Sequence, residues 1–193
     1  GSSGGGISIK GNSSTVNIAN TEISQCKTSS NGGGMYISSA EQVLLNGCTI
    51  ENCRSNSIGG GISIGSTQRE TRLTNCQIKS CNAGSNGGGL NIANNISHTI
   101  FDGCTIESCQ AQLGAAIMIA GGGKTIDPKN CEVRINDSTI KGCLSGGGNT
   151  NNSGGAIRTY GSTVSNLYLT RVTFTENYAQ RNKNYQDYQD VGN

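Results

Sequence analysis

The chain has 193 residues, of which 30 are Gly, one is Pro, none is Trp and 33% are hydrophobic, a composition that argues against a globule with a thick core. Its net charge of +2 comes from 14 basic and 12 acidic residues without a block of like charge, so we expect no nucleic-acid partner. No apolar run approaches the roughly 20 residues of a spanning helix, so we expect no membrane insertion by this chain.

Six copies of a glycine-led motif divide the chain into repeats. They read GGGISI at 4–9, GGGMYI at 32–37, GGGISI at 59–64, GGGLNI at 87–92, GAAIMI at 114–119 and GGAIRT at 154–159. The first five copies follow one another at intervals of about 28 residues. The segments between them alternate apolar and polar residues and show no helical pattern, which indicates a solenoid of strands.

Each repeat contains three such segments, the first being the end of the glycine motif. The second carries the pairs Val16/Ile18, Val43/Leu45, Thr71/Leu73, Thr99/Phe101, Val133/Ile135 and Leu167/Leu169. The third is centred on Ile23, Ile50, Ile78, Ile106, Ile140 and Phe174. This pattern predicts an all-β fold, a right-handed parallel β-helix (solenoid) of about six three-stranded rungs, since parallel crossovers are right-handed in nearly all cases. Rungs should stack about 4.8 Å apart, with equivalent inward residues in ladders.

The repeats predict a β-helix domain over residues 1–177 with two insertions. Ile117 and Ile135 are 18 residues apart where Ile62 and Leu73 are 11 apart, which predicts a surface loop at 120–130. A longer gap before Ile157 predicts a second loop at 144–153. We interpret residues 178–193 as a polar tail, either a cap on the last rung or a linker. Because the chain starts inside a rung, we expect further rungs before it or end-to-end stacking with another copy.

Aligning the rungs places eight of the nine Cys in two columns. One column lies three residues after the third-strand centres and contains Cys26, Cys53, Cys81, Cys109 and Cys143. The other lies two residues before them and contains Cys48, Cys76 and Cys104. Cys131 belongs to neither column, and an odd number of Cys leaves at least one without a partner in the chain.

The column arrangement bears on what the cysteines do. A zinc site needs three or four ligands around one point, and the chain has one His, so we expect no metal and no cofactor. Stacked Cα atoms about 4.8 Å apart fall within the range of a disulfide, so bonds between rungs are one interpretation. The other is that each Cys is a small buried side chain that fills a corner. The high Cys content favours an oxidising compartment.

The last rung, GGAIRTYGSTVSNLYLTRVTFTEN at 154–177, contains GGAI followed by FTEN. This pair resembles the GGA[ILV] and F-x-x-N repeat signature of the polymorphic outer membrane proteins of chlamydiae, which also occurs in surface proteins of some protozoa. The other rungs depart from it, with GGGI or GGGL for the first element and IENC, IKSC or IESC for the second. The resemblance implies a β-helical adhesin passenger that is secreted or displayed on the cell surface.

The outward columns bear on two alternative functions, a polysaccharide-acting enzyme and an ice-binding protein. A lyase or hydrolase acting on polysaccharide needs acids, or acids with Arg or Lys, clustered on one outward face. The five Asp do not share a column, so we predict no catalytic residue. Ice binding needs a flat Thr-rich face. The column that comes nearest has Thr at only four of its six positions: Glu22, Thr49, Gln77, Thr105, Thr139 and Thr173. Beside it runs a column of alternating charge: Ser24, Glu51, Lys79, Glu107, Lys141 and Thr175.

We therefore expect a non-enzymatic structural or adhesive module of a larger secreted or cell-surface protein, located outside the cell or on its surface. Its partners would be a protein or glycan on a host or neighbouring cell, or copies of itself end to end. The predicted contact residues, in exposed positions of first and second strands, are Tyr36, Met118, Arg158 and Tyr168. If the source is eukaryotic, the sequons predict glycosylation at Asn12, Asn95, Asn136 and Asn151.

Overall fold

A computed structural model describes residues 2–95, 98–121, 132–146, 154–160 and 166–180. Every regular element in these ranges is a β-strand. No helix that is long and apolar enough to cross a membrane occurs in them.

The strands follow one another rung by rung. Rungs one and two contain β1 (Ile7–Ala19), β2 (Glu22–Ser24), β3 (Lys27–Thr28), β4 (Met35–Asn46), β5 (Thr49–Glu51) and β6 (Arg54–Ser55). Rungs three and four contain β7 (Ile62–Ile64), β8 (Thr67–Thr74), β9 (Gln77–Lys79), β10 (Asn82–Ala83), β11 (Leu90–Asn95), β12 (His98–Asp102), β13 (Thr105–Glu107) and β14 (Gln110–Ala111). Rungs five and six contain β15 (Ile117–Gly121), β16 (Glu132–Asn136), β17 (Thr139–Lys141), β18 (Leu144–Gly146), β19 (Ile157–Tyr160), β20 (Asn166–Thr170), β21 (Thr173–Thr175) and β22 (Tyr178–Gln180).

Equivalent strands pair in parallel and form three sheets. The first and second strands of all rungs belong to one 10-stranded sheet, in which β1 and β4 each span both positions. The third strands form a six-stranded sheet, from β2 to β21. The prediction of a right-handed parallel β-helix is thus confirmed.

The structure corrects the predicted strand count and boundaries. Each rung has a fourth strand of two or three residues, and these strands form the third sheet, from β3 to β22. Sequence alternation missed them because two residues are too few to show a period. Residues 144–146 are strand β18 rather than loop, and Ala120 and Gly121 end β15. Tyr178–Gln180 is strand β22, so the last rung extends into the predicted tail. The remainder of both loops and residues 181–193 lie outside the described residues.

Inward side chains stack in ladders through a narrow core. Ile23, Ile50, Ile78 and Ile106 are register partners from one rung to the next, as predicted, and Ile140 and Phe174 continue the ladder. Complete burial of one such side chain contributes about 1.5–3 kcal/mol. Because rungs one to five repeat this burial, whereas Phe174 in rung six is 44% exposed, the ladders supply most of the stabilisation that a thin solenoid has available.

Residues in the left-handed conformation turn the chain at three corners of a typical rung. Between second and third strands they are Asn20, Gly47, Asn75, Gly103, Asp137 and Arg171. After the third strand they are Gln25, Asn52, Ser80, Ser108, Gly142 and Glu176. The residue that immediately follows either corner is a column position of the cysteines, so these turns determine where the thiols lie.

The middle glycine of each glycine run packs against backbone. A Cβ added at Gly60 would lie 2.3 Å from the carbonyl oxygen of Gly88 and 2.4 Å from the carbonyl carbon of Asn82. Both distances are far below van der Waals contact, so a side chain there requires backbone movement. Rung five has Ala115 at this position, where the Cβ is accommodated and fully buried.

Gly60→Ala is expected to lower the free energy of unfolding by about 2 kcal/mol, because inserting a methyl group into a filled site forces the backbone apart. Urea unfolding followed by circular dichroism measures this. The matched control is Ala115→Gly, which adds no atom and should cost about 1 kcal/mol or less. Equal losses in the two variants would contradict close packing at Gly60.

Candidate functional site

The first cysteine column runs along one edge of the core. Its upper four members, Cys53, Cys81, Cys109 and Cys143, are buried, and Cys26 in rung one is partly exposed. These five and the three members of the second column are free thiols in this structure. Cys131 lies outside the described residues. The described thiols are mostly buried, and both interpretations, corner filling and bonds between rungs, stay predictions.

Asn177 shows what a residue at this corner does. Its Oδ1 accepts a hydrogen bond from the backbone N–H of Cys143 at 3.0 Å, and its Nδ2 donates to the carbonyl of Ile140 at 2.8 Å. Both partners belong to the preceding rung. The amide thus joins rung six to rung five through one accepted and one donated bond.

The cysteines make the same connection with sulfur. The thiol of Cys81 reaches the carbonyl of Ile50 at 3.7 Å, and that of Cys143 reaches the carbonyl of Ile106 at 3.9 Å. Each Sγ also approaches the carbonyl two residues earlier in its own rung, at 3.2 Å in Cys81. The backbone of Cys53 in turn hydrogen-bonds to the Cys81 sulfur. Cys therefore replaces the Asn of the resembled signature by weaker bonds of the same pattern.

Neighbouring thiols in the column also hydrogen-bond to one another. The Cys81 sulfur accepts hydrogen bonds from Cys109 and Cys53, and these bonds lower the pKa of Cys81. For Cys53, the bond to Cys81 and burial both raise the pKa. In Cys109, bonds to Cys143 and to Cys81 raise the pKa. Cys81 lies between Cys53 and Cys109 in the column and is fully buried.

The second column repeats the arrangement at the other corner. The thiol of Cys104 reaches the carbonyl of Leu73 at 3.3 Å, one rung below. Ser138 takes the position in rung five, where its Oγ accepts from the N–H of Cys104 at 3.0 Å and donates to the carbonyl of Asn136 at 2.6 Å. Cys and Ser at this position each carry one small group that donates and accepts, whereas rung six has Val172, which packs against the core instead.

Outward side chains of the second strands form a second candidate site, which we call the second-strand face. It consists of three columns of register partners. They are Gln42, Glu70, His98, Glu132 and Asn166; Leu44, Arg72, Ile100, Arg134 and Tyr168; and Asn46, Thr74, Asp102, Asn136 and Thr170. The face therefore brings together three carboxylates, two guanidinium groups and the single His.

Arg72 is the centre of the first charge network on this face. Its Nε and Nη2 donate to the two oxygens of Glu70 at 3.1 and 3.2 Å, and its Nη1 donates to Asp102 Oδ2 at 3.0 Å. The amide of Asn136 donates to Asp102 Oδ1 at 2.7 Å. The bidentate bond from Arg72 holds the pKa of Glu70 below its usual value. Glu70 is thus held as a carboxylate and does not suit the role of a general acid.

The second network surrounds Glu132. Arg134 donates to Glu132 Oε1, and His98 Nδ1 lies 3.5 Å from Glu132 Oε2. The guanidinium of Arg134 also lies over the ring of Tyr168, 5.3 Å from its centroid. The side chains of Arg134 and His98 are 54% and 52% exposed, so this end of the face is open to a partner.

Sequence reasoning missed this face because it considered the Asp residues alone and read the second strands only for their inward pairs. A signal was present in the alternation itself. Glu-x-Arg occurs at 70–72 and again at 132–134, at the same register of the repeat. In a strand, residues two apart lie on one face, so both pairs had to point outward together.

The predicted charge column keeps its register but forms few ion pairs. Glu51, Lys79, Glu107 and Lys141 are successive partners in the third-strand sheet. Within the described ranges, Lys141 pairs with Glu176 at 3.8 Å, and no other member has a counterion within 4 Å. The neighbouring Thr-containing column, Glu22 to Thr173, is likewise in register.

The predicted contact residues differ in exposure. Tyr168 is 48% exposed, and Tyr36 and Arg158 are half-buried. The expectation that Met118 is exposed is wrong, because it is only 4% exposed. It points outward from the first strand, yet Ser63 and Asn91 at the same register are buried too. The corner glycine of the run folds toward this column: a Cβ on Gly59 would lie 2.7 Å from that of Ser63. A side chain that points outward from a first strand is therefore not necessarily exposed to solvent.

Of the four predicted glycosylation sites, only Asn136 has its side chain in the described part of the structure. Asn136 is half-buried and its amide is bonded to Asp102, so a glycan there would displace a bond of the second-strand face. The backbones of Asn12 and Asn95 lie in strands β1 and β11, but their side chains, like all of Asn151, lie outside the described part. Glycosylation at all four stays a prediction.

In the part of the chain that the structure covers, no group of three or more His, Cys, Asp and Glu side chains is arranged to hold a metal ion. The thiols are spread along an axis, and the carboxylates of the second-strand face are joined to arginines. The second-strand face can therefore recognise a partner through its charges and hydrogen bonds.

Comparison with known proteins agrees with the fold. The model of a family described as the right handed beta helix region matches residues 1–189. The chain belongs to the right-handed β-helix family. No curated protein and no solved structure matches it. Membership of the right-handed β-helix family covers enzymes as well as other proteins, so it leaves the activity of this chain to its own residues.

Thiol labelling tests the environment of the columns. In the native protein, a maleimide reagent is expected to modify Cys26 well before the seven buried thiols, because a thiol reacts as an accessible thiolate. Peptide mapping by mass spectrometry after timed labelling measures the order and distinguishes Cys131. Native labelling of Cys81 as fast as Cys26 would contradict the enclosed column.

Arg72→Ala is expected to lower the free energy of unfolding by about 1 kcal/mol at pH 7, a value reduced by solvent screening of a partly exposed group. The folded-state pKa of Glu70 is depressed, so its stabilisation is present above the usual value of 4.5 and is lost as pH falls through the folded pKa. The deficit of the variant should therefore shrink below about pH 4.

Urea unfolding of wild type and variant between pH 3 and 7 measures this deficit. Lys79→Ala, which removes a cation without an ion pair in the described ranges, is the matched control and should change stability little. A deficit for Arg72→Ala that does not depend on pH would show that the network is not electrostatic.

Proposed function

We propose that the chain is a non-enzymatic contact module of a larger secreted or cell-surface protein, which uses the second-strand face to bind a protein or glycan. The observation that carries this proposal is the pairing of the carboxylates with arginines. Glu70 and Asp102 are both bound to Arg72, and Glu132 is bound to Arg134. Hydrolysis by paired carboxyl groups needs one acid whose pKa is raised, whereas the bonds from Arg72 hold the pKa of Glu70 below its usual value.

The face has the features of a recognition surface. Rungs spaced about 4.8 Å apart give five register positions a length of roughly 20 Å along the axis. Its open end combines Arg134, Tyr168 and His98, and Tyr and Arg are enriched among the residues that dominate binding energies. Their networks also orient these side chains before a partner arrives, which reduces the entropy lost on binding.

The extracellular location is part of the same proposal. It is supported by the resemblance of the last rung to the polymorphic outer membrane protein repeats and by the Cys content. The burial of seven described thiols is compatible with an oxidising compartment, since buried thiols react slowly with oxidants. Membership of the polymorphic outer membrane protein family itself remains a prediction of the resemblance.

Arg134→Ala and Tyr168→Ala are expected to weaken binding to any ligand found on a panel of immobilised oligosaccharides and on cultured cells by at least fivefold. These variants should fold normally, because both side chains are about half exposed. The matched control, Lys79→Ala, removes a cation from another sheet and should bind as wild type does. A loss in the control equal to that in the variants would contradict a role of this face.

A second candidate, a polysaccharide-acting enzyme, is favoured by one observation. Acids with arginines do share one outward face, which is the arrangement that such enzymes need. Incubation with polygalacturonate and neutral polysaccharides, with reducing ends and unsaturated products measured, separates the two functions. We expect no turnover. Turnover that Glu70→Gln or Asp102→Asn abolishes would overturn the non-enzymatic proposal.

A further inference from the structure

Two cations lie side by side on the fourth-strand sheet, away from the second-strand face. Lys27 of β3 and Arg54 of β6 are direct register partners on adjacent rungs, and both side chains are exposed. Like charges in directly opposed positions destabilise a sheet. Neither cation has an acidic group within 4 Å among the residues described.

The other charged columns in the described strands avoid this arrangement. On the third-strand sheet, charges alternate in sign from Glu51 to Lys79 and from Glu107 to Lys141. On the second-strand face, each Arg is bonded to carboxylates of its own or the next rung. The direct opposition of Lys27 and Arg54 is therefore a local exception to the way the described strands place their charges.

A shallow groove that is largely open to solvent lies beside the two cations. It has a volume of about 400 Å³ and is lined by Lys27, Thr28, Ser29, Arg54 and Asn56. The lining combines two positive charges with hydroxyl and amide groups, which are the donors that recognise a sulfate or carboxylate and the hydroxyls around it. Further along the same column, Asn82 donates from Nδ2 to Gln110 Oε1 at 3.2 Å, so polar amides continue the surface along the axis.

We infer that this groove binds an acidic glycan, with a sulfate or carboxylate group of the sugar between Lys27 and Arg54. The oxyanion neutralises the two like charges, and Arg54 offers a planar pair of N–H donors to it. Sugar hydroxyls bond to Ser29 and Asn56 at the groove and to the amides of the next rungs. The site lies on a different sheet from the second-strand face, so it does not depend on that face as a contact surface.

The test uses the full chain and four probes: inorganic sulfate, a sulfated hexasaccharide, a uronate hexasaccharide and a neutral hexasaccharide of the same length. Calorimetric titration at low and physiological salt measures each affinity. We expect at least one acidic hexasaccharide to bind, with affinity that falls as salt rises, and the neutral one not to bind. Which of the two binds identifies the oxyanion, and sulfate should compete weakly with it.

Lys27→Gln/Arg54→Gln is expected to weaken that binding at least tenfold. Lys79→Gln/Lys141→Gln, which removes two positive charges from the third-strand sheet, is the matched control and should retain it. An equal loss in this control, retained binding in Lys27→Gln/Arg54→Gln, or equal binding of the neutral hexasaccharide would overturn the inference. Equal or tighter binding of a polyglutamate peptide would overturn the assignment to glycans.

The midpoint of thermal unfolding is an independent readout. If Arg54 had only a structural role, its removal would lower this midpoint. Without ligand, removing one of two opposed like charges should raise the midpoint of thermal unfolding of Arg54→Gln slightly. A lower midpoint would show that the cation stabilises the solenoid and would count against a binding site.

Discussion

The structure depends on the hydrogen bonds that the side chain after the third-strand corner makes to the preceding rung. A residue in the left-handed conformation turns the chain there, and the Cys or Asn that follows accepts from an N–H and donates to a carbonyl one rung below. Asn177 does this with two bonds of ordinary length, and Cys143 does it with a longer bond from sulfur. A buried backbone group left without a partner costs about 1–3 kcal/mol, so each rung after the first needs such a side chain at this corner. That need fixes the register of the third strand and, through it, the alignment of the whole coil.

The alignment determines both surfaces that we connect with function. Since equivalent residues stack, a pair such as Glu70 and Arg72 recurs as Glu132 and Arg134 two rungs later, and the intervening rung contributes Asp102 and His98. The solenoid thereby assembles a face of charges from residues that are up to 64 positions apart in the sequence, as between Glu70 and Arg134. On the fourth-strand sheet the same stacking opposes Lys27 and Arg54. One regular coil thus carries a neutralised face and a cationic groove.

Sequence alone predicted the coil because its signals are local and repeated. The spacing of Ile23, Ile50, Ile78 and Ile106 identified the third strand, and the cysteine columns followed from that register. It missed the fourth strands, because pairs such as Lys27 and Thr28 are too short for periodicity, and hence it missed the groove. It also misjudged Met118, because alternation gives the direction of a side chain but not what covers it. The pairing of Arg72 with both Glu70 and Asp102 required rotamers and distances that no pattern contains.

The account holds that the corner position requires a side chain that both donates and accepts, rather than thiol chemistry or simple volume. The most direct test compares Cys109→Asn with Cys109→Val by urea unfolding of the otherwise unchanged chain. Asn reproduces the bonds seen at Asn177, whereas Val fills the space and bonds to nothing. The account predicts that the Asn variant stays within about 1 kcal/mol of wild type and that the Val variant loses at least 2 kcal/mol more. A Val variant as stable as the Asn variant would contradict it.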